Sequence, residues 1–227
     1  MEVMSIEKEI GGFIGRLLRD DFGRGPGSVH CVVADPFITV HVTNFMSPME
    51  KSLMEREYTV YVQKTRDLLM EKLMNEINVY IEQNIGKRVH DFYYDWNLEA
   101  QSGAFLFLLS PFKPSLLSRQ YRNKDKVHSH MNQFSSDVQK QPQAVFSEML
   151  SPKTLLVARV GILVPIEKEL VQFDFEETLR IAKRSLEKRA LEKHQPILES
   201  LLGTPINDYF VDWDYQKDIG YTLVFLS

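Results

Sequence analysis

The stretch GKRVHDFYYDWNLEAQSGAFLFLLS, residues 86–110, decides the fold because the chain contains a second version of it. The last 25 residues, 203–227, read GTPINDYFVDWDYQKDIGYTLVFLS, and the two align without a gap at an offset of 203 − 86 = 117. A repeat with a period of about half the chain predicts two tandem domains built on one plan. Eight paired positions are identical: Gly86/Gly203, Asp91/Asp208, Asp95/Asp212, Trp96/Trp213, Gly103/Gly220, Leu106/Leu223, Leu109/Leu226 and Ser110/Ser227.

The same offset extends towards the N-terminus of each copy. PMEKSL at residues 48–53 aligns with PIEKEL at 165–170, and residues 31–45 align with 148–162 as apolar, β-branched runs. The match fades further upstream. The two prolines and two serines of residues 111–121 are typical of a loop. We therefore predict a first repeat over residues 1–112, a linker over 113–121 and a second repeat over 122–227.

Composition limits the classes of function. A length of 227 residues suits two domains of ordinary size. The formal net charge of −4 argues against broad electrostatic capture of nucleic acid, and the single cysteine excludes an intrachain disulfide and a zinc site made of cysteines. The longest purely apolar run is far shorter than the roughly 20 residues of a membrane helix, and the N-terminus lacks a signal-peptide core. We expect a cytoplasmic protein without a transmembrane segment.

The first repeat reads as helix, hairpin, helix, hairpin. Apolar spacing predicts a helix over residues 6–22, and β-rich runs predict strands over 28–34, 37–45, 89–96 and 104–109. The second helix begins at Pro48, pauses near Glu57 and ends before Gly86, which suits a C-cap. Apolar or small side chains at every fourth position predict its buried stripe: Tyr61, Thr65, Leu69, Leu73, Ile77, Ile81 and Ile85.

The second repeat follows the same plan, with a weaker first helix over residues 123–139 and strands over 144–150 and 154–163. Pro196 falls inside its long helix and is expected to break or kink it. The predicted fold class is α+β: two tandem αββαββ domains, each a four-stranded, mainly antiparallel sheet with helices on one face. The predicted stripe of the second long helix is Thr178, Ala182, Leu186, Ala190, His194, Leu198 and Leu202.

Two repeated dipeptides are the candidate sites. Asp95-Trp96 and Asp212-Trp213 end matching strands. In a functional interpretation they form a paired carboxylate site or a ligand platform. In a structural interpretation each tryptophan closes its core, and each aspartate bonds the amides of the following turn. Glu50-Lys51 and Glu167-Lys168 begin matching helices. Catalysis there needs a third group that the sequence does not identify, whereas a first-turn glutamate interacts favourably with the helix dipole. The structural interpretation is the simpler one in both cases, and we assign no catalytic residue.

Other chemistry-bearing residues give weaker signals. The glycine-rich residues 23–27 follow a helix, whereas a phosphate-binding loop follows a strand. The six histidines are scattered without metal-binding spacing. Cys31 lies in a predicted strand without an assignable base, and aligns with Glu148 at the offset of 117. We expect no cofactor and no metal. An RNA-binding module of the RRM or KH type is disfavoured by the acidic balance and by the absence of an RNP1-like motif or a GxxG clamp.

Three motifs carry a resemblance to a known family: a GxGP turn at residues 23–26, MSPMEKSL at 46–53, and IEQNIGKRV at 81–89. They are similar to those of the MpsC-like domain, named for a membrane-potential-generating, cation-translocating system in Firmicutes. Related bacterial membrane systems supply inorganic carbon. The second copy lacks the GxGP turn and carries Val164 in place of Ser47. The resemblance supplies no catalytic residues.

The resemblance implies a non-enzymatic cytosolic accessory protein of a membrane cation or bicarbonate system, with protein partners at the inner face of the membrane. The sequence also leaves open whether the chain forms a homo-oligomer. One alternative is a small-molecule sensor or enzyme with its site between the repeats. A weaker alternative is a nucleic-acid-binding module.

Overall fold

A computed structural model describes residues 2–227, with side chains from Met4 onward. The chain forms two structural units that divide between Phe112 and Lys113. The first unit contains α1 (Glu2–Phe22), β1 (Ser28–Ala34), β2 (Phe37–Thr43), α2 (Pro48–Met54), α3 (Thr59–Ile85), β3 (Asp91–Asn97) and β4 (Ser102–Leu108). The second contains a 3-10 helix (Pro114–Leu117), α4 (Lys124–Val138), β5 (Ala144–Ser151), β6 (Thr154–Val160), α5 (Pro165–Gln172), α6 (Glu176–Leu202), β7 (Ile206–Asp214) and β8 (Ile219–Leu226).

Each unit has one four-stranded sheet in which every neighbouring pair is antiparallel. The strand order is β1-β2-β4-β3 in the first sheet and β5-β6-β8-β7 in the second. The two hairpins of a repeat therefore meet through their second strands, β2 with β4 and β6 with β8. This confirms the predicted tandem αββαββ fold.

The tryptophans of the two repeats occupy the same place in their sheets. Trp96 pairs with Gly103 across β3 and β4, and Trp213 pairs with Gly220 across β7 and β8. Gly103 is required by its partner, because a Cβ there would lie 2.2 Å from the Trp96 ring. On Gly220 it would lie 2.6 Å from Ile162 and 3.1 Å from the Trp213 ring. The repeated residues thus place one indole beside one glycine in each unit.

Helices cover one face of each sheet, and the cores lie between them. In the first unit, Ile10, Ile14 and Leu18 of α1 meet apolar side chains of β2, β4 and α3. In the second unit, Val127 and Met131 of α4 take the corresponding places against β6, β8 and α6. Alternating strand residues supply the other wall of each core, and the inner strands β4 and β8 are buried along their whole length.

The helix boundaries follow local chemistry. α3 ends at Gly86 and α6 at Gly203, with φ values of 73° and 74° that glycine adopts without steric cost. The predicted pause is real, because α2 and α3 are separated at Glu57, whose φ is 64°. The predicted break at Pro196 is wrong: α6 continues through it to Leu202. Buried Leu191 and Leu198 anchor the helix on either side of the proline, so packing outweighs one lost backbone hydrogen bond.

The repeats are not in register at a constant offset in their first strands. Gly27 N donates to Thr43 O and Gln143 N donates to Val160 O, so the offset there is 143 − 27 = 116. An irregularity between Met149 and Ser151 restores the offset of 117. The alignment of Cys31 with Glu148 is therefore wrong by one residue. Cys31 pairs with Val40 and its counterpart Ser147 pairs with Val157.

The long helices bury the predicted stripe only in part, with Leu73, Ile77, Ile81 and Leu198 buried as predicted. In α3 the buried residues are Val62, Arg66, Met70, Leu73, Ile77 and Ile81, whereas Tyr61 is 64% exposed. In α6 they are Leu179, Lys183, Arg184, Glu187, Leu191 and Leu198. A strict four-residue step drifts around a helix of 3.6 residues per turn. The prediction was therefore wrong up to Met70 in α3 and up to Leu191 in α6, where buried residues lie one position after the predicted ones.

Candidate functional site: a buried ion pair beneath each tryptophan

The first-turn glutamate of α2 is held by a capping box. Ser47 is the N-cap, and its Oγ lies 3.3 Å from Glu50 N as acceptor. In return, Glu50 Oε2 accepts from Ser47 N at 2.7 Å. This reciprocal pairing satisfies donors that a helix start leaves open. It also fixes the Glu50 carboxylate in the interior, where only 6% of the residue is exposed.

Arg66 of α3 meets that carboxylate with two nitrogens. Its Nε donates to Glu50 Oε1 at 2.7 Å, and its Nη2 lies 3.1 Å from Oε2 and 2.8 Å from Phe45 O. The guanidinium carbon lies 4.9 Å from the Phe45 ring centroid and 4.7 Å from that of Trp96. A bidentate pair under aromatic faces is among the stronger charge contacts in proteins. It joins α2, α3 and β3 at one point.

The carboxylate of this pair is held in its ionised form. Burial alone would raise the pKa of Glu50, but the hydrogen bond and charge of Arg66, with the two bonds from Ser47, outweigh burial and lower it. Glu50 therefore does not exchange protons near neutral pH. Its geometry is that of a charge that fastens two helices together.

The second repeat preserves the arrangement with a different cation. Glu167 and Lys183 stand 117 residues after Glu50 and Arg66, and Lys183 Nζ lies 2.8 Å from Glu167 Oε1. The ammonium is 5.0 Å from the Trp213 ring centroid. Gln139 Nε2 donates to both carboxylate oxygens, at 2.9 and 2.8 Å. Lysine offers no planar fork, and the added amide supplies the donors that the first repeat obtains from arginine.

The capping box of the second repeat is only half present. Val164 N donates to Glu167 Oε2 at 2.9 Å, but the valine side chain has no oxygen to accept from the helix start. The difference between Ser47 and Val164 in the sequence therefore has one direct structural consequence: α5 lacks the side-chain cap that α2 has.

A second ion pair lies beside the first in this repeat. Arg159 of β6 and Glu187 of α6 are both fully buried and form a salt bridge. Glu187 Oε1 also accepts from Trp213 Nε1 at 3.2 Å and lies 4.0 Å from Lys183 Nζ. The second repeat thus encloses four charges in one network, whereas the corresponding positions of the first repeat, Val42 and Met70, are apolar.

The structure separates the predicted glutamate–lysine pairs. Glu50 and Glu167 turn inward, whereas Lys51 and Lys168 are exposed. Lys168 Nζ lies 3.2 Å from Asp218 Oδ2. Each glutamate is instead joined to the predicted tryptophan of its own repeat through a cation from the long helix.

Asp95 and Asp212 lie on the face of the strand opposite their tryptophans, because successive strand residues alternate in direction. Both are buried, with exposures of 1% and 5%. Asp95 Oδ1 accepts from Trp96 N at 2.7 Å, and Asp212 Oδ1 accepts from Trp213 N at 3.0 Å. Asp212 also forms a salt bridge with Arg180 of α6.

Sequence reasoning missed the cations of these sites, although the repeat contains the signal. Arg66 and Lys183 share the offset of 117, lie 16 residues after their glutamates and are both cationic. Arg159 and Glu187 left no such signal, because their counterparts are apolar.

Two histidines of the second repeat also lie in contact. His130 Nε2 lies 3.1 Å from His194 Nδ1, and His194 Nε2 lies 3.1 Å from Asp137 Oδ2. Burial and the neighbouring His194 lower the pKa of His130.

Across residues 2–227, no three side chains of metal-binding type come together as a possible ion site. None of the helices in the same part of the chain has the length and apolar character needed to cross a bilayer.

The fold and its sites define a class of protein: a tandem α+β repeat in which a buried ion pair ties the short and long helices beneath a tryptophan. The chain belongs to the MpsC family, whose model is described as the Na+-translocating membrane potential-generating system and matches residues 3–111 and again 123–227. No curated protein and no solved structure matches it.

Proposed function

We propose that this chain is a non-catalytic accessory protein of a membrane cation-translocating system, and that it acts on the cytoplasmic side through protein partners. The match of the MpsC model to both halves carries the proposal. The finer assignment, to a system that supplies bicarbonate, follows from the sequence resemblance and belongs to the same proposal.

The contacts of the candidate residues support an architectural role for them. Glu50 pairs with the side chain of Arg66, and Glu167 pairs with that of Lys183. Each glutamate also accepts a hydrogen bond from the N-cap residue of its own helix. Both ion pairs are buried under aromatic rings. Groups engaged in this way fix the positions of the helices, and their side chains have few polar atoms left for a substrate. Function would then reside on the surfaces of the two repeats.

The experiment begins with native membranes. The full chain, tagged and expressed from its own locus, is crosslinked in cells and purified after detergent extraction, with an unrelated tagged protein of similar size as the control. We expect a polytopic membrane subunit to copurify in stoichiometric amount. Recovery of soluble proteins alone contradicts the proposal.

A transport measurement tests the functional half of the proposal. Inverted vesicles from a strain that lacks the chain are assayed for initial sodium uptake, with and without added purified protein. We expect a change in the initial rate that saturates with protein. The growth of the deletion strain at ambient carbon dioxide separates the bicarbonate assignment from the general one. Unchanged growth with changed sodium uptake rejects bicarbonate supply alone.

A further inference from the structure

A groove of about 700 Å³ lies between α1 and the edge strand β1 of the first repeat. Gly11, Gly12 and Gly15 form its helical wall, and residues 28–31 of β1 contribute the other. A Cβ on Gly12 would meet only the Arg16 guanidinium, at 3.6 Å. Gly12 therefore leaves the groove open, whereas Gly11 and Gly15 let α1 approach β1, because a Cβ on them would lie 3.5 and 3.2 Å from the Val29 methyl groups.

The corresponding part of the second repeat is covered by the chain itself. Gly11 is replaced by His128, whose Nε2 lies 2.7 Å from Ser147 Oγ. Ser147, the counterpart of Cys31, also bonds the Tyr121 hydroxyl at 2.6 Å. Side chains and the segment before α4 thus occupy space that is open in the first repeat.

The covering segment is held by backbone contacts as well. Lys124, the counterpart of Glu7, donates from Nζ to the carbonyl oxygens of Leu117 and Arg119, at 3.0 and 2.9 Å. Leu117 is 2% exposed. One apolar anchor and a few backbone contacts therefore suffice to seat an irregular segment at this surface, which is how short peptide segments bind folded domains.

The charge at this surface is inverted between the repeats. In the second repeat the covering segment is basic, and Arg119 forms a salt bridge with Glu148 of β5 at 3.3 Å. In the first repeat the exposed cations Lys8, Arg16 and Arg19 line the groove together with one carboxylate, Glu7, whose Oε1 accepts from Val33 N at 2.9 Å. None of these three cations has an ion-pair partner in the part of the chain that the structure describes. Their complement is an acidic segment.

We propose that the α1–β1 groove binds an extended segment of a partner protein that carries an apolar anchor between acidic residues. The equivalent surface of the second repeat, which accepts a segment of opposite charge from its own chain, supports this occupant. The inference does not depend on the membrane system proposed above, because it concerns a surface of the purified chain.

The test is a selection with displayed 12-residue peptides on the purified full chain. Gly12→Leu serves for counter-selection, because a leucine at this exposed helical position fills the groove without a clash in the fold. Asp20→Leu, at an exposed position of α1 outside the groove, is the matched control. Circular dichroism melts establish that both variants fold.

We expect enriched peptides to be net negative with one or two central aliphatic residues. Fluorescence anisotropy should show at least tenfold weaker binding to Gly12→Leu and to Arg16→Glu, and unchanged binding to Asp20→Leu. Failure to enrich any sequence over the Gly12→Leu background overturns the proposal, and so do neutral or basic peptides that bind Gly12→Leu equally well.

Two other occupants are measured in parallel. Sedimentation of the wild type that shows a dimer lost in Gly12→Leu assigns the groove to a second copy of this chain. Flotation with phosphatidylcholine–phosphatidylglycerol vesicles that is lost in Gly12→Leu, together with failed peptide selection, assigns it to an anionic membrane. Either result overturns the peptide proposal.

Discussion

The first repeat provides a natural comparison for the buried ion pair of the second repeat. Arg159 and Glu187 are each 0% exposed, and the first repeat places Val42 and Met70, also 0% exposed, at the same positions. Arg159→Val and Glu187→Met therefore convert one interior into a version that the same fold already accepts. The two changes are made singly and together in the full chain.

The single changes should be far more harmful than the pair. Each removes the contact between guanidinium and carboxylate and leaves the other charge buried, which costs about 3–5 kcal/mol. Arg159→Val should lie at the lower end of this range, because Glu187 keeps Lys183 Nζ at 4.0 Å. The double variant removes both charges, and replacement of a buried pair by apolar residues is neutral or stabilises by about 1–4 kcal/mol. Trp213 Nε1 then loses its acceptor on Glu187, at a cost of about 1–3 kcal/mol. We expect the double variant to lie within about 2 kcal/mol of the wild type.

Ser135 provides a further step in the same direction. Its Oγ is 3.4 Å from Arg159 Nη1, and the corresponding residue of the first repeat is Leu18, which is fully buried. Arginine is larger than valine, so the double variant leaves unfilled space. Ser135→Leu added to the double variant should recover stability, whereas Ser135→Leu alone should crowd the arginine and destabilise the repeat.

Hydrogen exchange measured by mass spectrometry across a urea series can assign the loss to one repeat. Peptides from β6 and β8 report the second repeat, and peptides from β2 and β4 serve as the unchanged internal reference. If the singles each cost less than about 1 kcal/mol, the pair is solvated and the reasoning fails. If the double costs the sum of the singles, the two charges do not act as a pair.

Three further predictions follow from single contacts. Gly103→Ala should unfold the first repeat or lower its melting temperature by more than 10 °C, because the new methyl would lie 2.2 Å from the Trp96 ring. Gly220→Ala should destabilise the second repeat less, since its nearest clash is with the flexible terminal methyl of Ile162. An equal loss in calorimetry would refute this account. Val164→Thr should stabilise the second repeat by about 0.5–1 kcal/mol by completing a helix cap, and chemical denaturation with no gain would show that α5 does not need one. Cys31 should react slowly with iodoacetamide at pH 8.5 in the folded chain and rapidly in urea. Burial, with a smaller contribution from the charge of Glu7, raises the pKa of the Cys31 thiol to about 12. Labelling of the folded chain at the rate of free cysteine would contradict this.

The topology was predictable because the repeated residues meet specific steric and backbone requirements of the fold. Trp96 and Gly103 are identical in both copies since the indole occupies the space above the glycine. Gly86 was recognisable because a helix end with positive φ selects glycine. These constraints are local, or act between neighbouring strands, and therefore leave a signal in one sequence.

The interior charges were not predictable by the same route. Arg66 lies on the buried stripe of α3, where apolar periodicity assigns a charged residue to solvent. Only its contacts with Glu50, Phe45 and Trp96, distant in sequence, explain its burial. The register change at β5 was equally hidden, because one deletion before the strand and one extra residue within it leave the length of the repeat unchanged.

The two repeats have diverged in opposite ways at the interior and at the surface. The second repeat replaces apolar core positions with Arg159 and Glu187 and covers its edge strand with residues 113–121. The first repeat retains an apolar core at those positions and leaves open a glycine-walled groove lined by cations. A buried charge pair is weak evidence for net stability, so Arg159 and Glu187 do not by themselves make the second repeat the more stable one. A surface that must receive a partner is better carried by the repeat that remains uncovered. If the groove variants change partner binding, the Arg159 and Glu187 variants should change stability alone, and a shared effect on binding would refute this division between the repeats.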